Sequence, residues 1–210
     1  MWLFNCANGE NAYAAETCPA ARFADVPGEE NWMHEGIDFV LKNGWMVGTA
    51  TDLFSPEKTM TRAMLVTVLW RAAGEPEAAE LAPFEDVPAE SWYASAVAWA
   101  AEESVTAGTS EKTFSPDLPV TREQTAAILY RFRTLEQAIS PAEKIEPERF
   151  ADVAAVSEWA VEAMNWAVET ELILGKETAD ALWLDPQGET TRAEAAAILT
   201  RYAKRQTAAE

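Results

Sequence analysis

Three Thr-Arg pairs, Thr61-Arg62, Thr121-Arg122 and Thr191-Arg192, each follow a proline by five residues, at Pro56, Pro116 and Pro186. A threonine hydroxyl suits the cap of a helix, and the arginine then takes the first helical position, beside unpaired backbone N–H groups and the positive end of the helix dipole. That setting suits a carboxylate, and a guanidinium adds a two-pronged fork to it. The chemistry is capture of an acid rather than its transformation. A competing reading has each arginine pair with the aspartate of a Phe-x-Asp-Val segment and tie loop to helix. The sequence alone leaves both open.

Catalytic chemistry has no comparable footing. His34 is the one histidine, occurs in one copy of the repeat described below, and has no Ser or Cys partner in a recognisable arrangement. A satisfied helical or surface histidine is the simpler reading. The chain carries no Gly-rich phosphate loop, no His-Glu-x-x-His and no cluster with metal-ligand spacing. No catalytic residue, metal ligand or cofactor is therefore assigned. Acidic pairs such as Glu29-Glu30 and Glu102-Glu103 read as solvated faces, with weak calcium binding as the alternative.

The elements that position the arginines come as a triplicated series. The openings are Phe23-Ala24-Asp25-Val26, Phe84-Glu85-Asp86-Val87 and Phe150-Ala151-Asp152-Val153. Eight or nine residues later stand Trp32, Trp92 and Trp159, and sixteen residues beyond each stand Gly48, Gly108 and Gly175. A second arginine, at 71, 131 and 201, closes each copy nine residues after the first. The Gly-to-Pro interval is eight residues in the first two copies and eleven in the third, which places an insertion in that loop.

Each copy reads as helix, loop, helix. Trp92, Ala96, Val97, Trp99 and Ala100 make one face of a first helix, repeated by Trp159, Ala163, Met164, Trp166 and Ala167. The glycine ends that segment or permits the turn after it. The second helix opens with Thr191 and Glu194, a capping box in which hydroxyl and carboxylate each satisfy an end N–H. Thr121 and Gln124 repeat it, and Met64 departs from it. Leu65, Val68, Leu69 and Ala72 form a stripe matched by Thr125, Ile128, Leu129 and Phe132, and by Ala195, Ile198, Leu199 and Tyr202. One unit of about fifty residues buries too little surface to stand alone. The expected fold is all-α: three helix-loop-helix repeats, residues 23–72, 84–132 and 150–202, forming a pseudo-threefold bundle as one domain, 23–204. Open solenoid stacking is the alternative.

For Trp32, Trp92 and Trp159, core packing is the default and sugar contact through an exposed ring face the alternative. Gly48, Gly108 and Gly175 are backbone necessities first. Asp25, Asp86 and Asp152 cap the first helices or hold the loop, and the closing arginines are solvated or bound to C-terminal carbonyls.

Sixteen Lys and Arg against 35 Asp and Glu give a net charge of −19, which opposes nucleic acid and anionic membranes at long range. Any acidic ligand must be caught by local cations. No run of eighteen apolar residues occurs, so no membrane insertion is expected, and Met1-Trp2-Leu3-Phe4 lacks the pattern of a signal peptide. Residues 1–22 read as a leader or linker, from a processed chain or a fragment. Cys6 and Cys18, the only cysteines, either form a local disulfide in an exported protein or remain thiols.

The series Phe-x-Asp-Val, Trp, Gly, Phe-x-Pro, Thr-Arg-Ala-Glu resembles the S-layer homology (SLH) domain, from Phe23 to Arg201. Thr191-Arg192-Ala193-Glu194 matches the family motif in full. Thr61-Arg62-Ala63-Met64 and Thr121-Arg122-Glu123-Gln124 match it in part, and Leu184 stands where the other copies have Phe54 and Phe114. The resemblance implies a three-helix bundle whose grooves bind the secondary cell-wall polysaccharide of peptidoglycan, typically carrying pyruvate ketals, and so hold a protein outside the cell at the wall or S-layer. Carried over by position, the ligand-facing residues are Arg62, Arg122, Arg192, Gly48, Gly108, Gly175, Trp32, Trp92 and Trp159. The alternative is a structural module for self-assembly or contacts with other surface proteins.

Overall fold

The arginines sit on a mostly helical scaffold, seen in a computed structural model that describes residues 18–136, 139, 142–146 and 148–207. Six α-helices are present among the described residues: α1 Trp32–Lys42, α2 Arg62–Ala72, α3 Ala94–Glu102, α4 Arg122–Glu136, α5 Val161–Glu169 and α6 Arg192–Thr207. Short 3-10 turns occupy Pro19–Arg22, Val153–Ala155 and Glu158–Ala160. None of these helices is long and apolar enough to cross a membrane.

The second helices begin where the caps dictate. Glu194 N–H donates to Thr191 Oγ1 at 3.2 Å while Thr191 N–H donates to Glu194 Oε2 at 2.8 Å. Thr121 and Gln124 make the same reciprocal pair at 3.2 and 3.3 Å. Met64 has no side-chain acceptor, and only the Met64 N–H to Thr61 Oγ1 bond of 3.3 Å forms. The first helices end six residues before Gly48, Gly108 and Gly175. The left-handed residue after each is Gly44, Ser104 or Glu171, with φ of 69°, 59° and 51°. The repeat glycines therefore do not end these helices.

The chain divides into two compact units, residues 1–58 with 191–210 and residues 59–190. In the first, α1 packs on α6. A Cβ on Gly36 would lie 2.9 Å from the Ala197 nitrogen, so the two backbones touch there and only glycine fits. Ile37, Val40, Ala195, Ile198 and Leu199 are buried along this contact, and Phe23 meets Phe54 edge-on at 5.9 Å. Each buried Ile, Val or Leu side chain among these contributes about 1.5–3 kcal/mol. Cys18 is buried, with Sγ 3.2 Å from His34 Nε2, and His34 Nδ1 lies 2.7 Å from the Pro27 carbonyl oxygen. The histidine is thus a satisfied helical one. Cys6 lies outside the described residues.

In the second unit α2 packs on α3 and α4 on α5. Trp99 stacks edge-on with Phe132 at 6.1 Å and Tyr130 with Trp166 at 5.5 Å. Leu65, Val68, Leu69, Ile128, Leu129 and Phe132 are all buried. The residues just ahead of the second-helix caps close a ring: Met60 N–H donates to Thr190 O (2.8 Å), Thr190 N–H to Val120 O (2.9 Å) and Val120 N–H to Met60 O (2.9 Å). The insertion of the third copy forms an antiparallel ribbon, β1 Lys176–Glu177 with β2 Leu182–Trp183. This corrects the all-α expectation: the additional residues between Gly175 and Pro186 are long enough to turn back and pair with themselves.

Candidate functional site

Each Thr-Arg start is docked onto a loop of another copy. Arg192 N–H donates to Lys58 O and Ala193 N–H to Pro56 O, both at 2.9 Å. Arg62 N–H and Ala63 N–H donate to Leu118 O and Pro116 O, and Arg122 N–H and Glu123 N–H to Gly188 O and Pro186 O. The expectation of unpaired amides at these helix starts is therefore corrected. Loop carbonyls and the threonine cap take the first three N–H groups, leaving no open anion cradle.

The arginine side chains follow the same course. Arg192 Nε donates to Phe54 O at 2.9 Å and Nη2 to Val47 O at 2.6 Å. Arg62 Nε donates to Phe114 O at 2.9 Å and Nη2 to Ala107 O at 3.3 Å. Arg122 Nε donates to Leu184 O at 2.7 Å. All three arginines are buried. The Arg192 and Arg62 guanidinium carbons also lie 4.4 and 4.9 Å over the Phe54 and Phe114 rings. Burial lowers the pKa of Arg192 to about 10 against the opposing pull of Asp25. It lowers that of Arg62 too, helped by the charge of Arg131 and opposed by Asp86.

The aspartates grip the same loop residues from the other side. Asp25 accepts the N–H groups of Phe54 and Ser55 at 2.9 and 2.7 Å, Asp86 those of Phe114 and Ser115, and Asp152 those of Leu184 and Asp185, all four at 2.7 Å. The second residue of each pair, Ser55, Ser115 or Asp185, has a φ of 58°, 58° or 53° and precedes a proline. This left-handed conformation costs about 1–2 kcal/mol in a residue with a Cβ, and the carboxylate holds it. Asp and Arg thus meet through a shared loop residue, and the aspartates serve as loop holders.

Arg192 is brought to Gly48 and Arg62 to Gly108, since the Val47 and Ala107 carbonyls they hold immediately precede those glycines. A Cβ on Gly48 would stand 2.4 Å from the Phe23 ring, and one on Gly108 2.2 Å from Thr113 O and 2.7 Å from the Phe84 ring. Gly175 has a φ of 90° and faces the Phe150 ring in the same way. These glycines answer a packing need in the loop.

The tryptophans overturn the core-packing default. Trp32, Trp92 and Trp159 are 55%, 62% and 56% exposed. Trp92 precedes α3, and Trp159 lies in the 3-10 turn ahead of α5, so helical periodicity does not turn them inward. Trp99 and Trp166 fill the core instead.

Two features escaped the sequence reading. Buried Glu123, where the other copies have Ala63 and Ala193, accepts the Ser157 N–H at 3.0 Å, the Ser157 hydroxyl at 2.9 Å and Gln187 Nε2 at 3.3 Å. This places an internal carboxylate beside Arg122. Its signal in the sequence was the departure from alanine. Arg131 lines a groove at Gly108, which its position in the series did not disclose. Among the described residues no group of three or more His, Cys, Asp and Glu could hold a metal ion.

Three segments, residues 22–63, 83–126 and 149–196, match the family model described as the S-layer homology domain. The chain is 31% identical over 182 residues to the surface-layer 125 kDa protein of Lysinibacillus sphaericus, covering 87% of this chain and 15% of that one. It is 29% identical over 178 residues to an amylopullulanase of Thermoanaerobacterium thermosulfurigenes, covering 84% and 9%. It is 29% identical over 185 residues to an S-layer protein of Bacillus thuringiensis subsp. finitimus, covering 87% and 21%. The chain thus spans about a fifth or less of the length of these relatives.

Proposed function

The chain belongs to the S-layer homology domain family, and from that premise we propose that it holds its protein to the cell envelope by binding an acidic, pyruvylated secondary cell-wall polysaccharide. Domains of this family anchor proteins to the cell wall, and the chain is accordingly a wall-associated module of the cell surface. The observation that carries the finer reading is the three tryptophans exposed at matching positions, where nothing in core packing calls for an indole. Exposed aromatic faces suit the apolar faces of sugar rings. With a net charge of −19 the chain needs local cations to hold an acid.

The reading extends to residues. Gly48, Gly108 and Gly175 shape the loops, Arg62, Arg122 and Arg192 fix those loops to the helix starts, and Trp32, Trp92 and Trp159 contact the glycan. The three copies, residues 23–72, 84–132 and 150–202, make up one domain, 23–204, arranged as a pseudo-threefold bundle after a leader of residues 1–22. Three like pairings of a second helix with a first helix support this, as does the ring of Met60, Val120 and Thr190. The module's role is anchoring and not catalysis.

The test is co-sedimentation of the purified chain with peptidoglycan sacculi before and after acid removal of the secondary polysaccharide. Binding lost with the polysaccharide is the expected result. A folded chain that sediments equally well with stripped sacculi, or with neither, overturns the reading, and mass that rises with concentration would then point to self-assembly.

A further inference from the structure

A groove of about 670 Å³ lies within residues 59–190, lined by Trp70 of α2, by the connector that follows that helix and by α3. Its volume falls in the range of about 300–1,000 Å³ usual for binding clefts. The connector is held at two points. Trp70 Nε1 donates to Pro76 O at 2.8 Å, and Ala79 N–H donates to Glu102 Oε2 at 2.8 Å. It is thus a fixed wall. Tyr130 and Thr200 stand at the place of Trp70 in the other copies, so this indole is particular to the junction of the first copy with the second.

The lining is apolar and acidic together. Leu81 is 75% exposed, more than any other large apolar side chain described, and Trp70 lines the same groove half-buried. Apolar surface left open along a fixed cleft suits a contact with another molecule. Glu75, Glu77 and Glu80 are exposed lining residues, and among the described residues no Lys or Arg pairs with them. The lining itself holds no Lys or Arg. These carboxylates turn away an acidic polymer. They are not gathered for a metal either, since among the described residues no group of three or more His, Cys, Asp and Glu could hold one. Instead they are strung along the connector, with Pro76, Ala78 and Leu81 among them. Charge spread out in this way is matched by a chain on which cationic and apolar side chains alternate.

We propose that this groove docks a basic peptide segment of another protein, with Lys or Arg side chains on Glu75, Glu77 and Glu80 and an apolar side chain against Trp70 and Leu81. The inference does not depend on the glycan reading. It gives the chain a protein contact at the junction of the first and second copies, of a charge opposite to that of the wall polymer.

The test is calorimetric titration of the full chain with the end-capped synthetic peptide Lys-Leu-Lys-Leu-Lys-Leu, with Lys-Ser-Lys-Ser-Lys-Ser and Glu-Leu-Glu-Leu-Glu-Leu as controls. The first peptide is expected to bind, less tightly as salt rises, and both controls about tenfold or more weaker. Leu81→Ser and the pair Glu77→Gln/Glu80→Gln should each lower its affinity about fivefold or more, with the melting temperature unchanged because all three side chains are exposed. Glu29→Gln/Glu30→Gln removes the same charge from exposed positions in the other compact unit and should bind as wild type. Sedimentation with sacculi should be the same in every variant. If the first peptide does not bind, or binds the groove variants within twofold of wild type, the proposal is wrong. Equal losses in the two glutamate pairs would trace binding to overall charge and overturn it too. So would a mass that doubles without peptide and reverts in Leu81→Ser, which would make a second copy the occupant.

Discussion

Asp25 and Arg192 hold one loop residue between them: the carboxylate accepts the Phe54 N–H at 2.9 Å, and the guanidinium donates to the Phe54 carbonyl at 2.9 Å. Arg192 also satisfies Val47 O. Arg192→Ala leaves two carbonyls without their donors and should lower unfolding free energy by about 3 kcal/mol. Lysine lacks the fork and should recover less than half. Urea denaturation at neutral pH reads both values. An Arg192→Ala variant as stable as wild type would show the clasp to be dispensable, and losses of glycan binding in this variant must be corrected for unfolding.

The tryptophans should behave in the opposite way. Trp32→Ala, Trp92→Ala and Trp159→Ala remove exposed rings, so each should change stability by about 0.5 kcal/mol or less. The triple variant should keep its melting curve yet sediment poorly with sacculi. Retained sedimentation would remove these residues from the contact surface.

Gly108→Ala brings a methyl within 2.2 Å of one carbonyl oxygen and 2.4 Å of another, both backbone atoms with little room to retreat. A destabilisation of about 3 kcal/mol is expected. Gly44→Ala meets no atom within 4 Å but forces a Cβ into a φ of 69°, which should cost about 1 kcal/mol. Paired thermal melts order the two, and a milder Gly108→Ala would contradict the packing account.

Glu123→Ala strips the Ser157 amide, the Ser157 hydroxyl and Gln187 of a common acceptor. Stability should drop by about 2 kcal/mol, while glycan binding, measured well below the melting temperature, should be maintained. Reduced affinity would make this carboxylate part of the recognition surface.

Tyr130 has its pKa raised to about 12 by desolvation and, secondarily, by the Glu162 carboxylate that accepts its hydroxyl at 2.7 Å. The folded protein then binds its proton more firmly than the unfolded chain does. The resulting stability is complete below about pH 10, the ordinary tyrosine value, and drains away as pH climbs through about 12. Tyrosinate absorbance should show a late-titrating component that is lost in Tyr130→Phe and shifted to lower pH in Glu162→Gln. A titration curve identical in Glu162→Gln would exclude the carboxylate as a cause.

Local chemistry was legible and distant chemistry was not. The Thr191-Glu194 and Thr121-Gln124 boxes span three residues each, so spacing alone places them, as it does the stripe from Leu65 to Leu69. The partners of the arginines come from loops 45 to 145 residues away, and no period in the sequence announces that Phe114 O will sit over Arg62. The same ignorance hid the use of the helix-start amides. Trp92 misled for another reason: a helical face was projected through a residue that precedes the helix. Glu123 was visible as a departure from alanine, but its meaning required Ser157 beside it.

The contact of α1 with α6 joins Gly36 to Ala197 across most of the chain, and this governs the order of events as the protein is made. Helices form within microseconds, but a contact of such sequence separation closes slowly. A chain emerging N-terminus first, from ribosome or export channel, offers α1 only the short turn Pro19–Arg22 and no partner helix until the third copy has followed. Ile37 and Val40 stay open until then, a waiting apolar face that a chaperone can hold. Truncation ahead of residue 192 would keep it open permanently, so a shortened chain should aggregate rather than fold as a smaller version of the whole.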